Sequence, residues 1–115
     1  MSLEILPATA ERRYTVVRLG GRLDAHTADD FKPQLQSLVA PGRVLLVGDL
    51  AGLQYISSAG LNLLIHVCRE LRKQGGDFRL AAVQSYVKEI LDLTGYTKLF
   101  KLYDTVEQAA AGFGV

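Results

Sequence analysis

The sequence predicts an α/β fold. The expected form is a single domain over residues 1–115: a mostly parallel sheet of about four to five strands, an antiparallel N-terminal edge and about four helices. Three observations carry this expectation. Strand-like and helix-like segments alternate along most of the chain, the pattern of parallel strands joined by crossover helices. Val44-Leu45-Leu46-Val47 is apolar at every position, as a strand covered on both faces requires. Further on, Leu61, Leu64, Ile65, Cys68 and Leu71 recur at helical spacing. The balance of 49% hydrophobic and 22% charged residues is that of an ordinary folded chain and argues against disorder.

Leu3-Glu4-Ile5-Leu6 alternates and stops at Pro7, so it reads as a short edge strand. A polar turn over Ala8 to Arg12 leads into Tyr14 to Leu19, rich in β-branched residues and suited to pair antiparallel with the first strand. Gly20-Gly21 reads as its end. Thr27 with Asp30 three residues on forms a box-like helix cap, and Phe31, Leu35, Leu38 and Val39 give one apolar stripe. Pro33 deep in that helix would remove a hydrogen bond and clash. The start is therefore placed at Asp29 or Asp30, with Pro33 in the first turn, and the end near Pro41-Gly42.

The central strand is placed at Arg43 to Leu50. The central helix follows, with Ser57 and Ser58 at its N-terminus and Gly75-Gly76 at its end. Asp77 to Val83 is the next strand. Ser85 is placed as the cap of a helix carrying Val87, Ile90 and Leu91 and stopped by Gly95. Lys98 to Tyr103 reads as a last short strand. Thr105 with Gln108 opens a short Ala-rich helix running to Gly112.

Several function classes lack support. A net charge of +1 leaves no electrostatic footprint for nucleic acid or an anionic membrane. Arg69, Arg72 and Lys73 sit where cations complement a helix C-terminus, which is the pattern of a solvated face. Met1 to Pro7 carries Glu4 and does not resemble a signal peptide, and no apolar run nears the ~18 residues that span a bilayer. A cytoplasmic location is expected. Cys68 falls on the inward stripe and reads as a buried inert thiol. There is no phosphate-cradling Gly-x-x-x-x-Gly-Lys-Ser/Thr and no Gly-x-Gly-x-x-Gly after a strand. Ser58-Ala59-Gly60 matches half of a nucleophile elbow, but Ile56 stands where the first glycine belongs. His66 lies two turns beyond Ser58 on the same helix, out of reach of its hydroxyl, and Cys68, His26 and His66 lack metal-ligand spacing. No catalytic residue, metal or cofactor is expected.

The adjacent hydroxyls of Ser57 and Ser58 are the most informative feature. Serine is among the best helix caps, but one cap suffices, and no Glu or Gln three residues after either completes a box. Three segments add context. Gly21-Arg22-Leu23-Asp24-Ala25-His26-Thr27-Ala28 precedes the first helix, Val44-Leu45-Leu46-Val47-Gly48-Asp49-Leu50 forms the central strand, and Ile56-Ser57-Ser58-Ala59-Gly60-Leu61 opens the central helix. In order and spacing they resemble the STAS domain, in particular the anti-sigma factor antagonists of bacteria.

That resemblance implies a binding module that is not an enzyme. It implies phosphorylation of Ser58 by an anti-sigma factor serine kinase and removal of the phosphate by a PP2C-type serine phosphatase. The unphosphorylated form would bind the kinase and release a sigma factor. Asp24 and Asp49 match the acidic positions that flank the acceptor, and the expected partner surface takes in Asp24, Ser57, Ser58, Ala59, Gly60, Asn62, His66 and Arg69. The chain departs from the family pattern at two positions. Ser57 replaces the acid that commonly precedes the acceptor, leaving it as a structural cap or minor phosphosite, and Ala51 stands where Ser or Thr often follows Asp-Leu. A monomer or weak dimer is expected, with no direct nucleic-acid or membrane partner. Two alternatives remain at this stage: a non-phosphorylated STAS subunit of a transport ATPase complex, and a nucleotide- or anion-sensing module using the same helix N-terminus.

Overall fold

The computed structural model describes residues 2–39 and 44–111. Strands β1 (Ser2–Leu6), β2 (Thr15–Leu23), β3 (Leu45–Ile56), β4 (Asp77–Ala81) and β5 (Leu102–Tyr103) form one sheet in that order. β1 runs antiparallel to β2, and the remaining pairs are parallel. The helices are α1 (Ala25–Gln36), α2 (Ser58–Lys73), α3 (Ser85–Thr94), the single turn α4 (Thr97–Phe100) and α5 (Val106–Ala110). Because the strand order is sequential, right-handed crossovers send α1, α2 and α3 to the same side of the sheet.

Alternation along β3 explains its apolar run. Leu46 and Leu50 face the large core, with Val17, Phe78, Leu64, Leu71, Val87 and Leu91. Leu45 and Val47 point the other way, under Ala109 and Ala110 of α5. In the large core Phe78 meets Phe100 edge to face, with ring centroids 6.1 Å apart. Cys68 is fully buried there, its Sγ 3.8 Å from the Phe78 carbonyl oxygen, and burial raises its pKa. No helix among the described residues is long and apolar enough to cross a membrane.

Arg72 departs from the expected solvated face. Its Nε donates to Asp77 Oδ1 at 2.8 Å, and its guanidinium also donates to the Leu99 carbonyl. Arg79 Nε donates to the other Asp77 oxygen at 3.1 Å, and its Nη1 donates to the Ala109 carbonyl at 2.8 Å, fastening α5 to β4. Burial pushes the Asp77 carboxyl up. The hydrogen bonds from Arg72, Arg79 and the Phe78 N–H outweigh that effect and hold it below the usual carboxylate range.

Four element boundaries differ from expectation. Gly20-Gly21 does not end β2: the strand runs on to Leu23, with register shifts against β3 at Arg18/Gly20 and Gly21/Arg22. Gly21 takes φ 88°, a conformation glycine adopts without strain. β3 likewise continues past Leu50 to Ile56, while Arg43 lies outside the described residues. α1 starts at Ala25 with Asp24 as cap, so Thr27 is the reciprocal member of the box and Pro33 is internal. Pro33 sits on the exposed side of the helix, where water can satisfy the carbonyl it leaves without a donor. The helix ends at Gln36, and Pro41-Gly42 fall outside the described residues.

The fourth difference is the Lys98 to Tyr103 segment, which splits into α4 and a two-residue β5. Phe100 enters the core from the helical turn, and Lys101, at φ 52°, redirects the chain. Smaller shifts follow the same logic. Ala82, at φ 57°, ends β4 before Val83, and Gln84 holds the cap position ahead of Ser85. Thr105 caps α5 as expected, accepting from the Gln108 N–H at 3.1 Å. α5 ends at Ala110, and Gly112 is outside the described residues.

Candidate functional site

β2 and β3 end at the same edge of the sheet, and each turns into a helix after one cap residue. Leu23 pairs with Ile56, and the Ser57 N–H donates to the Leu23 carbonyl at 2.8 Å. The ladder therefore extends one residue into the second cap, setting Asp24 beside Ser57. Two helix N-termini, each carrying partial positive charge, open at this edge.

The caps are chemically different. Asp24 Oδ1 accepts from the Thr27 N–H at 3.1 Å, and Thr27 Oγ1 accepts from the Asp24 N–H at 2.9 Å, a complete capping box. The Asp24 carboxyl lies below its ordinary pKa. The Thr27 backbone N–H is the main cause, with the Thr27 hydroxyl and the Arg22 charge adding to it. Ser57 is partly buried, and its Oγ accepts from the Gly60 N–H at 3.2 Å. Ser58, the first helical residue, is exposed, and among the described residues its hydroxyl makes no hydrogen bond.

Gly60 allows this approach. A Cβ there would lie 2.6 Å from the Leu23 carbonyl oxygen and 2.7 Å from Leu23 Cγ. Only glycine lets α2 begin this close to the end of β2.

Downstream of Ser58, α1 and α2 lie side by side. The groove between them has a volume of about 340 Å³ and is lined by Ala28, Asp29, Lys32, Ala59, Asn62 and His66, with Leu63 at its floor. Asn62, His66 and Arg69 are all exposed on α2, and Arg69 lies beyond the groove lining. His66 is eight residues along the helix from Ser58, about 12 Å at 1.5 Å per residue, too far to act as its base. The serine is thus accessible, and among the described residues no side chain is hydrogen-bonded to its hydroxyl.

Asp49 is not brought to this edge. Its Oδ2 accepts from Arg18 Nε at 3.4 Å, its Oδ1 accepts from the Ala51 N–H at 3.2 Å, and Arg18 Nη1 reaches Glu4 at 3.3 Å. Asp49 pairs with Arg18, five β2 residues before Leu23, which at ~3.3 Å per residue is about 17 Å from the strand end. Of the two acids expected to flank the serines, Asp24 does so and Asp49 ties β3 to β2.

One surface cluster at this end of the sheet has no signature in the sequence. The Arg22 guanidinium carbon lies 4.1 Å from the Tyr55 ring centroid, and Tyr55 stacks on Tyr86, centroids 6.2 Å apart at 22°. Arg22 and Tyr55 are register partners one step before Leu23 and Ile56, and Tyr86 lies in the first turn of α3. Each is unremarkable alone in the sequence. The β2–β3 register brings Arg22 to Tyr55, and the start of α3 adds Tyr86.

Comparison with known proteins places this geometry. Residues 6–109 match the model of the STAS domain. A candidate anti-sigma factor antagonist, BtrV, of Bordetella bronchiseptica is 33% identical over 95 residues, 83% of this chain and 82% of that protein. The anti-sigma F factor antagonist of Paenibacillus polymyxa is 30% identical over 94 residues, 81% and 80% of the two chains. Among solved structures, an anti-sigma-factor antagonist (STAS) domain protein from Planctomyces limnophilus superposes with a TM-score of 0.84 at 19% identity, covering 98% of each chain. That last likeness concerns the fold.

Proposed function

The chain belongs to the STAS domain family, and from that premise we propose that it is an anti-sigma factor antagonist switched by phosphorylation of Ser58. Unphosphorylated, it docks on an anti-sigma factor serine kinase in the cytoplasm and releases the sigma factor. Phosphorylated, it lets go, and a PP2C-type phosphatase restores it. The names of its relatives support the antagonist role.

The observation that carries the Ser58 assignment is the division of labour between two adjacent hydroxyls. Ser57 already caps α2, and the exposed Ser58 hydroxyl has no structural bond to give up. A phosphate adds about −1.5 to −2 charges and three acceptor oxygens. The helix N-terminus tolerates it, by about 0.3–1 kcal/mol at an exposed site, while Asp24 opposes it. The decisive effect falls on the complex, where a dianion in a partly desolvated interface costs several kcal/mol unless paired. The docking surface comprises Asp24, Ser57 to Gly60 and the adjoining groove with Asn62 and His66, and Arg69 lies at its margin.

The test is to incubate the protein with ATP and the purified anti-sigma serine kinases of its source, then map the phosphosite. Phosphate on Ser58, lost in Ser58→Ala, is the expected result. Stoichiometric phosphate on Ser57, or continued stoichiometric phosphorylation of Ser58→Ala, overturns the assignment. A protein that neither binds nor is phosphorylated by any of these kinases returns the reading to a non-phosphorylated STAS subunit.

A further inference from the structure

We propose that the Arg22–Tyr55–Tyr86 stack is a docking anchor for the same kinase, taking a carboxylate of the partner on Arg22 and an apolar side chain on the outer face of Tyr86. The inference rests on the proposed function and adds to it a second, aromatic contact outside the serine loop.

The three side chains come from β2, β3 and the first turn of α3 and meet at the sheet edge that carries Asp24 and Ser58. Tyr86 is 47% exposed and is not an isolated surface ring, since it stacks on Tyr55, which in turn carries the Arg22 guanidinium. Arg22 is exposed, and among the described residues it makes no ion pair within bonding distance. Asp24, the acid whose carboxyl its charge influences, is already engaged by Thr27. The guanidinium thus rests over the Tyr55 ring without a carboxylate of its own among the described residues. Holding it there lowers the ordering cost of binding, and an acid on the partner is its natural complement. Tyrosine and arginine are also the residue types that carry binding energy out of proportion to their area. The anchor adjoins the docking edge: Arg22 and Tyr55 form the last β2–β3 pair before Leu23 and Ile56, which lead directly into Asp24 and Ser57, and their side chains leave the sheet on the face opposite Leu23 and Ile56.

The experiment titrates the unphosphorylated full chain and its variants calorimetrically into the kinase that binds the wild type. Tyr86→Ala and Arg22→Ala are each expected to weaken Kd about tenfold, and Arg22→Glu more. Tyr86→Phe, which keeps the ring, is expected to stay within about twofold. Salt should weaken the wild-type complex more steeply than Arg22→Ala. Melting temperatures should stay level across the set, because Arg22 and Tyr86 are exposed. Wild-type binding with Kd unchanged in both Tyr86→Ala and Arg22→Glu rejects the anchor alone. So does a loss of affinity that follows a loss of melting temperature, or an effect on self-association with none on the kinase. Absence of any wild-type complex rejects the proposed function and the anchor with it.

Discussion

α1 and α2 begin in the same way: a parallel strand ends, one residue caps, and the helix runs back over the same face of the sheet. Position by position they then diverge. The cap is Asp24 in one and Ser57 in the other, the first helical residue is Ala25 or Ser58, and the third is Thr27 or Gly60. α1 closes its start on itself, with Asp24 and Thr27 exchanging hydrogen bonds. α2 leaves the reciprocal half of the box unmade, presses Gly60 against Leu23 and exposes a free hydroxyl. Helix initiation thus accounts for both polar side chains of the α1 box, Asp24 and Thr27, but at the start of α2 for Ser57 and not for Ser58. That residue is the one proposed above as the phosphate acceptor.

Four measurements break or sharpen this contrast. The largest effect is expected from the phosphate itself. Phosphorylated protein should bind the kinase at least about thirtyfold more weakly, roughly 2 kcal/mol, with its melting temperature nearly unchanged. A phosphorylated structure with a rearranged core would contradict a switch confined to the surface. Next comes Gly60→Ala, which forces a methyl against the Leu23 carbonyl and should cost about 2–3 kcal/mol in urea unfolding. Thr27→Ala at the matching position of α1 introduces no such clash, and an equal loss there would undo the close-approach argument.

Ser57→Ala should cost about 1 kcal/mol, the ordinary worth of a cap, while leaving Ser58 as the phosphorylated residue. The smallest effect is expected from Asp24→Asn. Asparagine caps as well as aspartate, so stability near neutral pH should hardly change. The difference appears in acid. The folded pKa of Asp24 lies below its unfolded value of 3.8, so its charge stabilises above 3.8 and that contribution is lost as pH falls through the lower folded value. Asp77 shifts in the same direction and titrates in both proteins. The thermal-melt gap between wild type and Asp24→Asn should therefore change only below about pH 4. A gap that opens above pH 5 would show that the carboxylate does something besides cap.

The parts of the fold legible in the sequence are those fixed by local periodicity. The two-faced run in β3, the stripe on α2 and the serine pair at its start each carry their signal within a dozen residues. What escaped depends on pairing. Gly20-Gly21 reads as a break because isolated glycines end strands, yet here they sit at bulges that carry β2 on to Leu23. Both bulges fall after the Arg18–Asp49 pair and add residues to β3, so Asp49, though it follows the apolar run as expected, lies well short of the strand end at Ile56. Pro33 misplaced the start of α1 because a proline in an exposed turn costs less than one facing the core. Phe100 looked like strand because an aromatic residue entering the core from a single helical turn has no periodicity to show. Arg22, Tyr55 and Tyr86 lie on three separate elements and have no sequence signature.

The one cysteine of the chain sits on α2, ten residues beyond Ser58, fully buried against β4. A thiol reagent reaches Cys68 only in molecules where that helix has lifted from the sheet. When reclosure outruns labelling, the rate of modification measures the equilibrium population of that open state. Cys68 therefore reports opening of the helix that starts at Ser58, and a thiol reagent can read it without an engineered cysteine.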